Sequence, residues 1–232
     1  MTIKLYDLAA AEDDRRFSPY CWRIRMALAH KELAVKTIAW RFTERDAIAF
    51  SGSGTVPVIV DQGRAVADSW AIARYLDEAY PDRPRLIEGE EARALTYFFK
   101  HWCERSLHGP VMRAVIMDLF NHLHEKDKPY FRASREKRFG KTLEEHGADR
   151  AGAIAALRSA LDPLRPVLAE QPFVSGRRAP GFADYILFGT FQWPRAVSPV
   201  KLLESEDPVY AWRERMLDLY GGMARNAKGY PV

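Results

Sequence analysis

The sequence predicts an α/β unit over residues 1–80, a linker over 81–91 and an all-helical domain over 92–232. Three observations carry this prediction. Strand and helix signals alternate through the first unit. The stretch PDRPRLIEGEE then breaks the alternation with two prolines and a run of charge. Beyond it strand signals nearly vanish, and apolar residues recur at helical spacing.

IKLYDL (3–8) reads as a strand, followed by a polar loop rich in Asp and Arg. A helix starts at Ser18-Pro19 and runs to about His30, and AVKTIAW (34–40) is a second strand. A short helix or irregular segment through 42–50 ends in the flexible SGSG. VPVIV (56–60) and AVA (65–67) form a hairpin across DQGR, and DSWAIARYLDEAY (68–80) is an amphipathic helix opened by Asp68. In the second domain Leu95, Phe98, Phe99, Trp102 and Cys103 make a helical stripe. Val111, Met112, Val115, Ile116 and Leu119 continue it past Gly109-Pro110, where a kink is expected. Further helices are expected at 131–146, 150–169, 182–193 and 208–220. The last has Asp207 as cap, Pro208 at its first position and Gly221-Gly222 as a stop.

Composition narrows the function classes. The 232 residues are 47% hydrophobic and 28% charged, with a net charge of +4, which is ordinary for a globular chain. The densest basic stretch, Lys126 to Lys141, holds seven basic and two acidic residues, interleaved as on a solvated helix face, so nucleic acid is not the expected partner. No window approaches eighteen consecutive apolar residues, so no membrane span is expected. Only Cys21 and Cys103 occur, too few for a disulfide framework, and a cytoplasmic location is the expectation. His122 and His124 stand two apart, not at the i, i+4 spacing of helical metal pairs, so no metal site is expected.

The chemistry begins at FSPYCWRIRMAL (17–28). Redox proteins carry Cys-x-x-Cys at the head of a helix after the first strand. Here Cys21 takes the second cysteine's place and Ser18 the first, and a serine forms no disulfide. Ser18-Pro19 is an ordinary helix opening in its own right, serine as N-cap with proline next. The same hydroxyl lies among free backbone N–H groups in a field that favours negative charge. Cys21 itself reads as a packing residue.

With Ser18, TVPV before the third strand, DSWAI opening the next helix and a helical second domain, essentially the whole chain resembles the glutathione transferase superfamily. FSPYCWR, DSWAIARYLDEAYPDRP and the late FADY are most similar to the bacterial β-aryl-etherase-like proteins and the fungal etherase-like transferases. The resemblance implies a thioredoxin-like N-terminal domain, glutathione as co-substrate, a homodimer, and a Ser18 hydroxyl that donates to the glutathione thiolate. It implies that the Val56-Pro57 bond is cis and that the Val56 backbone pairs with the cysteinyl backbone of glutathione. Asp68 and Ser69 would take the γ-glutamyl ammonium and carboxylate. Arg41 or Arg45 would take the glycine carboxylate. The stripe Tyr97, His101, Glu104, Arg105 and His108 would line the pocket for a hydrophobic or aromatic electrophile, with Tyr20, His101, Arg105 or His108 as a donor near the leaving group. Asp184 in FADY reads as structural, half of a Ser/Thr-x-x-Asp capping box in which Gly181 replaces the hydroxyl residue.

The function expected is a glutathione transferase acting on aromatic or hydrophobic electrophiles. A non-catalytic ligand-binding protein of the same fold and a glutathione-dependent β-aryl etherase are the alternatives. A disulfide oxidoreductase is disfavoured by Ser18.

Overall fold

Four strands form one mixed sheet in the order β2-β1-β3-β4, in a computed structural model that describes residues 2–176 and 178–231. β1 (Ile3–Leu8) pairs in parallel with β2 (Val35–Trp40) and antiparallel with β3 (Val58–Asp61), which pairs antiparallel with β4 (Arg64–Ala67). The parallel pair requires a crossover, and α1 (Pro19–His30) supplies it. The β3–β4 hairpin closes over Gln62 and Gly63, both in the left-handed region (φ 48° and 85°), as a tight hairpin turn demands. A 3-10 turn at Arg45–Ser51 ends on Gly52 (φ 69°), and α2 (Ser69–Ala79) packs behind the hairpin. Sheet and helices together make a thioredoxin-like domain, followed by an all-helical one.

Segment 81–89 has neither helix nor strand, yet it is tied down. Asp77 accepts from the Leu86 and Ile87 N–H groups at 2.9 and 3.0 Å, and Phe182 N–H donates to the Leu86 carbonyl at 2.9 Å.

The helical domain departs from the expected segments wherever proline or glycine stops a ladder. α3 (Glu90–Ser106) and α4 (His108–His122) are separate helices broken at Leu107, not one helix kinked at Gly109-Pro110. Pro110 has no N–H for the carbonyl four residues back, that of Ser106, so the break falls at the end of α3. The segment expected at 131–146 is two helices, α5 (Lys128–Phe139) and α6 (Leu143–His146). Gly140 (φ 69°) ends α5, and a Thr142–Glu145 capping box starts α6. Pro163 likewise divides 150–169 into α7 (Arg150–Ala160) and α8 (Leu164–Glu170). α9 (Phe182–Val197) runs through Pro194, four residues beyond the expected end. α10 (Pro208–Gly222) leaves helical geometry at Leu219, Tyr220 and Gly221.

α9 is the centre of the molecule, with every residue from Phe182 to Val197 buried. A helix buried on all faces must satisfy its polar groups internally. Gln192 donates to the Ala224 carbonyl at 3.0 Å, and Arg195 donates to the carbonyls of Ala224, Arg225 and Ala227 at 3.1, 2.8 and 3.2 Å. Tyr185 meets His30 of α1 at 2.6 Å. Asp184 accepts from the N–H groups of Val174, Ser175 and Gly181 at 2.7, 3.1 and 3.1 Å and from Trp212 Nε1 at 2.9 Å. The hydroxyl missing at Gly181 is thus offset by a carboxylate that serves four donors.

α1 lies between the sheet and α9, and the two helices cross at Gly189. A Cβ added at Gly189 would sit 2.2 Å from the Pro19 carbonyl oxygen. Gly→Ala in an exposed helix stabilises by about 1 kcal/mol. At Gly189 the sign should reverse: Gly189→Ala is expected to destabilise by about 1–3 kcal/mol, the range for overpacking. Calorimetry that finds a raised Tm in this variant would show that α9 is not seated on the Pro19 backbone.

Candidate active site

Where the two domains face each other they enclose a cleft of about 960 Å³. The thioredoxin-like wall is built from three chain segments. The start of α1 contributes Ser18 and Tyr20, the approach to β3 contributes Val56 and Pro57, and the start of α2 contributes Asp68 and Ser69.

Ser18 is the N-cap of α1 and only 3% exposed. Its Oγ accepts from the Cys21 N–H at 3.2 Å, which leaves the hydroxyl proton to donate. The Val56-Pro57 peptide bond is cis. Neither the N–H nor the C=O of Val56 is hydrogen-bonded among the described residues. Asp68 caps α2 through one carboxylate oxygen, accepting from the Trp70 and Ala71 N–H groups at 2.9 and 3.0 Å. It does so at φ 75°, a conformation that a non-glycine residue holds at a cost of order 1–3 kcal/mol. Ser69 is 1% exposed and its hydroxyl has no partner. A free carboxylate oxygen, an orphaned hydroxyl and an unpaired peptide unit on one wall suit a ligand with peptide and charged groups.

The facing wall comes from α3 and α4. Glu104 accepts from Arg23 at 2.8 Å and Lys100 at 3.1 Å; burial pushes its carboxyl up, but the two cations hold it below the usual range. Arg23, wholly buried, also lies 4.6 Å from the Tyr20 ring centroid. His108 stands edge-on to Tyr20 at 5.6 Å and to Trp193 at 5.9 Å, with its Nε2 3.2 Å from Thr190 Oγ1. Burial, then the Arg23 charge, pushes the His108 imidazole down to about 3. Burial raises the Tyr20 phenol. Both side chains are therefore neutral at neutral pH, and the single N–H of His108 is donated to Thr190 Oγ1, which donates on to the Ile186 carbonyl at 3.3 Å.

His101 and Arg105 also line the cleft. Three expected site residues do not. Tyr97 is 46% exposed and packs its ring against Trp70 at 5.0 Å and His101 at 4.6 Å, on the outer side of α3. Arg41 is turned to Asp13 (2.5 Å) and to the Ala10 and Ala11 carbonyls (3.1 and 3.0 Å). Arg45 donates to the Tyr130 hydroxyl at 2.9 Å and lies over that ring. Arg41 is held within the first domain, while Arg45 reaches the helical domain from the strap after β2 (residues 41–45); both are absent from the cleft lining. Among the aromatic side chains of the helical domain, Trp193 lines the cleft, while Phe98 is 70% exposed and Trp102 stacks on Phe99.

Sequence reasoning missed the α5–α6 end of the cleft, where Phe131, Arg135, Arg138, Phe139 and His146 line it. His146 stacks flat on Phe139 at 3.8 Å. The signal was present: Phe131, Arg135, Arg138 and Phe139 fall at i, i+4, i+7 and i+8, so two arginines share the apolar face of a helix. Among the described residues no group of three or more His, Cys, Asp or Glu is placed to hold a metal ion, and no helix is long and apolar enough to cross a membrane.

Comparison with known proteins is consistent along the chain. The family model "Glutathione S-transferase, N-terminal domain" matches residues 17–79, and "Glutathione S-transferase, C-terminal domain" matches residues 94–214. A probable glutathione S-transferase, GSTU6, of Oryza sativa subsp. japonica is 27% identical over 214 residues, 85% of this chain and 80% of that protein. The crystal structure of glutathione transferase GSTFuA3 from Phanerochaete chrysosporium is similar with a TM-score of 0.77 and 30% identity, covering 96% of this chain and 92% of that one. A glutathione S-transferase of Ceriporiopsis subvermispora, solved in complex with glutathione, has a TM-score of 0.83 at 25% identity, covering 94% of this chain and 96% of that one.

The depressed His108 has a measurable consequence. As pH falls below about 6.5 the unfolded chain takes up a proton that the folded imidazole refuses, so stability drops with a slope of up to about 1.4 kcal/mol per pH unit. His108→Gln lacks this slope. Denaturant unfolding of the two proteins from pH 7 to pH 4 should show the variant gaining on the wild type as pH falls; parallel curves would mean that His108 is wet and protonates normally.

Proposed function

The chain belongs to the glutathione S-transferase family, and from that premise we propose that it is a serine-type glutathione transferase acting on aromatic or hydrophobic electrophiles. One observation carries the reading: Ser18, the unpaired Val56 backbone and the Asp68-Ser69 pair share one wall of one cleft. Glutathione, when bound, supplies the sulfur nucleophile. The unpartnered hydroxyl of Ser69, at the positive end of α2, suits the γ-glutamyl carboxylate, and the free oxygen of Asp68 suits the ammonium beside it. Val56 offers its N–H and C=O to the cysteinyl unit like one residue of an added strand.

An ordinary thiol titrates near 8.5, and lowering it by about two units makes the thiolate dominant at neutral pH, a difference worth about 2.7 kcal/mol. The Ser18 hydroxyl, donating from the helix N-terminus, favours the charged form. In the reaction a carbon–sulfur bond forms as the leaving group departs with its electron pair, and the thiol proton passes to solvent. Tyr20 is the neutral donor on the cleft wall for a leaving oxygen, since the single N–H of neutral His108 goes to Thr190 Oγ1, whose own proton goes to the Ile186 carbonyl. Neither cysteine lines the cleft, which favours conjugation over disulfide exchange. Activated Ser18 chemistry also favours an enzyme over a passive binder, which needs no such donor.

We further propose a homodimer, since Leu95 and Phe98 are each 70% exposed and Phe50 is 54% exposed. Light scattering should give twice the chain mass, and Phe98→Asp should halve it; a monomeric wild type would end this part of the reading.

The pH dependence of kcat/KM tests the mechanism. With glutathione and 1-chloro-2,4-dinitrobenzene, Ser18→Ala should move the ascending limb upward by about two pH units and lower the rate at pH 7 by roughly 25-fold. A profile unchanged in the variant would remove Ser18 from the chemistry. Phenol release from an α-keto β-aryl ether, measured in the same series, decides whether ether cleavage is among the activities.

A further inference from the structure

Glutathione has two carboxylates, and the residues discussed so far answer only one. With the γ-glutamyl end at Asp68-Ser69 and the cysteinyl unit at Val56, the glycine runs on past Val56. The cleft-lining residues that lead into Val56 in the chain, Ser53, Gly54 and Thr55, carry no charge, and Phe42, two residues beyond β2, lines the same cleft. The arginines nearest in sequence, Arg41 and Arg45, are engaged elsewhere.

What stands over Phe42 is a guanidinium from the other domain. Arg135 of α5 lies 5.4 Å from the Phe42 ring centroid and 4.8 Å from that of Phe131, and it lines the cleft. Asp127 fixes this placement. Buried at the start of α5, its carboxylate accepts from the Phe42 and Thr43 N–H groups, both at 3.0 Å, and from Thr43 Oγ1 at 2.7 Å. Helix α5 is thereby bolted to the strap that carries Phe42.

Arg135 has no carboxylate within ion-pair distance among the described residues. It donates from Nη1 to Ser134 Oγ at 3.0 Å and lies beside the Tyr130 hydroxyl, and its Nε is buried without a partner. A guanidinium packed against aromatic rings can still donate its unengaged N–H groups to a carboxylate. Burial already weakens its hold on its proton, the usual sign of a charge without a counter-ion. The other cations of the cleft are placed differently. Lys100 is paired with Glu104, and Arg105 and Arg138 are exposed where Arg135 is half-buried.

We propose that Arg135, a residue of the helical domain, binds the glycine carboxylate of glutathione, so that the co-substrate is held by both domains. The proposal rests on the reading of the cleft as a glutathione site.

Calorimetric titration with glutathione and with its glycyl monoethyl ester tests it. Wild-type protein should prefer the free acid about tenfold or more, the range for a charge-assisted hydrogen bond. Arg135→Gln should bind acid and ester alike, at the affinity the wild type shows for the ester, which also reports an intact fold. Arg135→Lys should keep part of the preference, and Arg45→Gln all of it. A wild-type preference retained in Arg135→Gln, or lost in Arg45→Gln, would overturn the proposal, as would a wild type indifferent to the ester. Binding of neither compound would instead overturn the glutathione reading itself, and this inference with it.

Discussion

The molecule turns on the crossing of α9 over the first turn of α1. Gly189 has no side chain, and that absence lets a fully buried helix rest on the Pro19 carbonyl. The cap residue Ser18 immediately precedes this contact. Its position is therefore set from both sides, by the sheet beneath α1 and by the helical domain above it. A cleft-wall hydroxyl gains directional precision from such clamping, because its rotamer and its distance from a bound atom are held by packing.

Polar contacts secure the rest of the seam. Arg23 of α1 reaches Glu104 of α3, and Asp127 of α5 takes three donors from the strap after β2. Lys31, wholly buried, pairs with Asp77 at 2.8 Å, and the same Asp77 holds segment 81–89. Breaking one partner of a buried pair strands the other charge at a cost of several kcal/mol. The Arg23–Glu104 and Asp127 contacts tie the two domains together beside the cleft, and Asp77 ties segment 81–89 to the first domain.

The sequence announced the first domain well because its signals are local. Ser18-Pro19, the Asp68 cap and the DQGR turn each dictate backbone geometry within a few residues, and the elements follow. The helical domain was legible as helices but not as their ends. Apolar stripes continue across Pro110, Gly140 and Pro163, while the breaks at those positions depend on a single missing donor or one left-handed residue. The α3–α5 side of the cleft was least legible, because it depends on how far along each helix, as well as on which face, the cleft reaches. Tyr97 and His101 are four apart on one helix, yet only His101 reaches the cavity. Arg135 looked like part of a solvated basic run until packing put aromatic rings beneath it.

Cys21 and Cys103 are both free and both buried, and burial pushes each thiol well up from its ordinary value, with the Asp7 carboxylate adding to the effect at Cys21. A protein whose proposed substrates alkylate sulfur thus exposes none of its own in reactive form. With Ser18 standing where a thiol would be, the proposed chemistry brings its activated sulfur in with the co-substrate. On that chemistry each alkylation event leaves with the product, and the catalyst accumulates no scars from its own work.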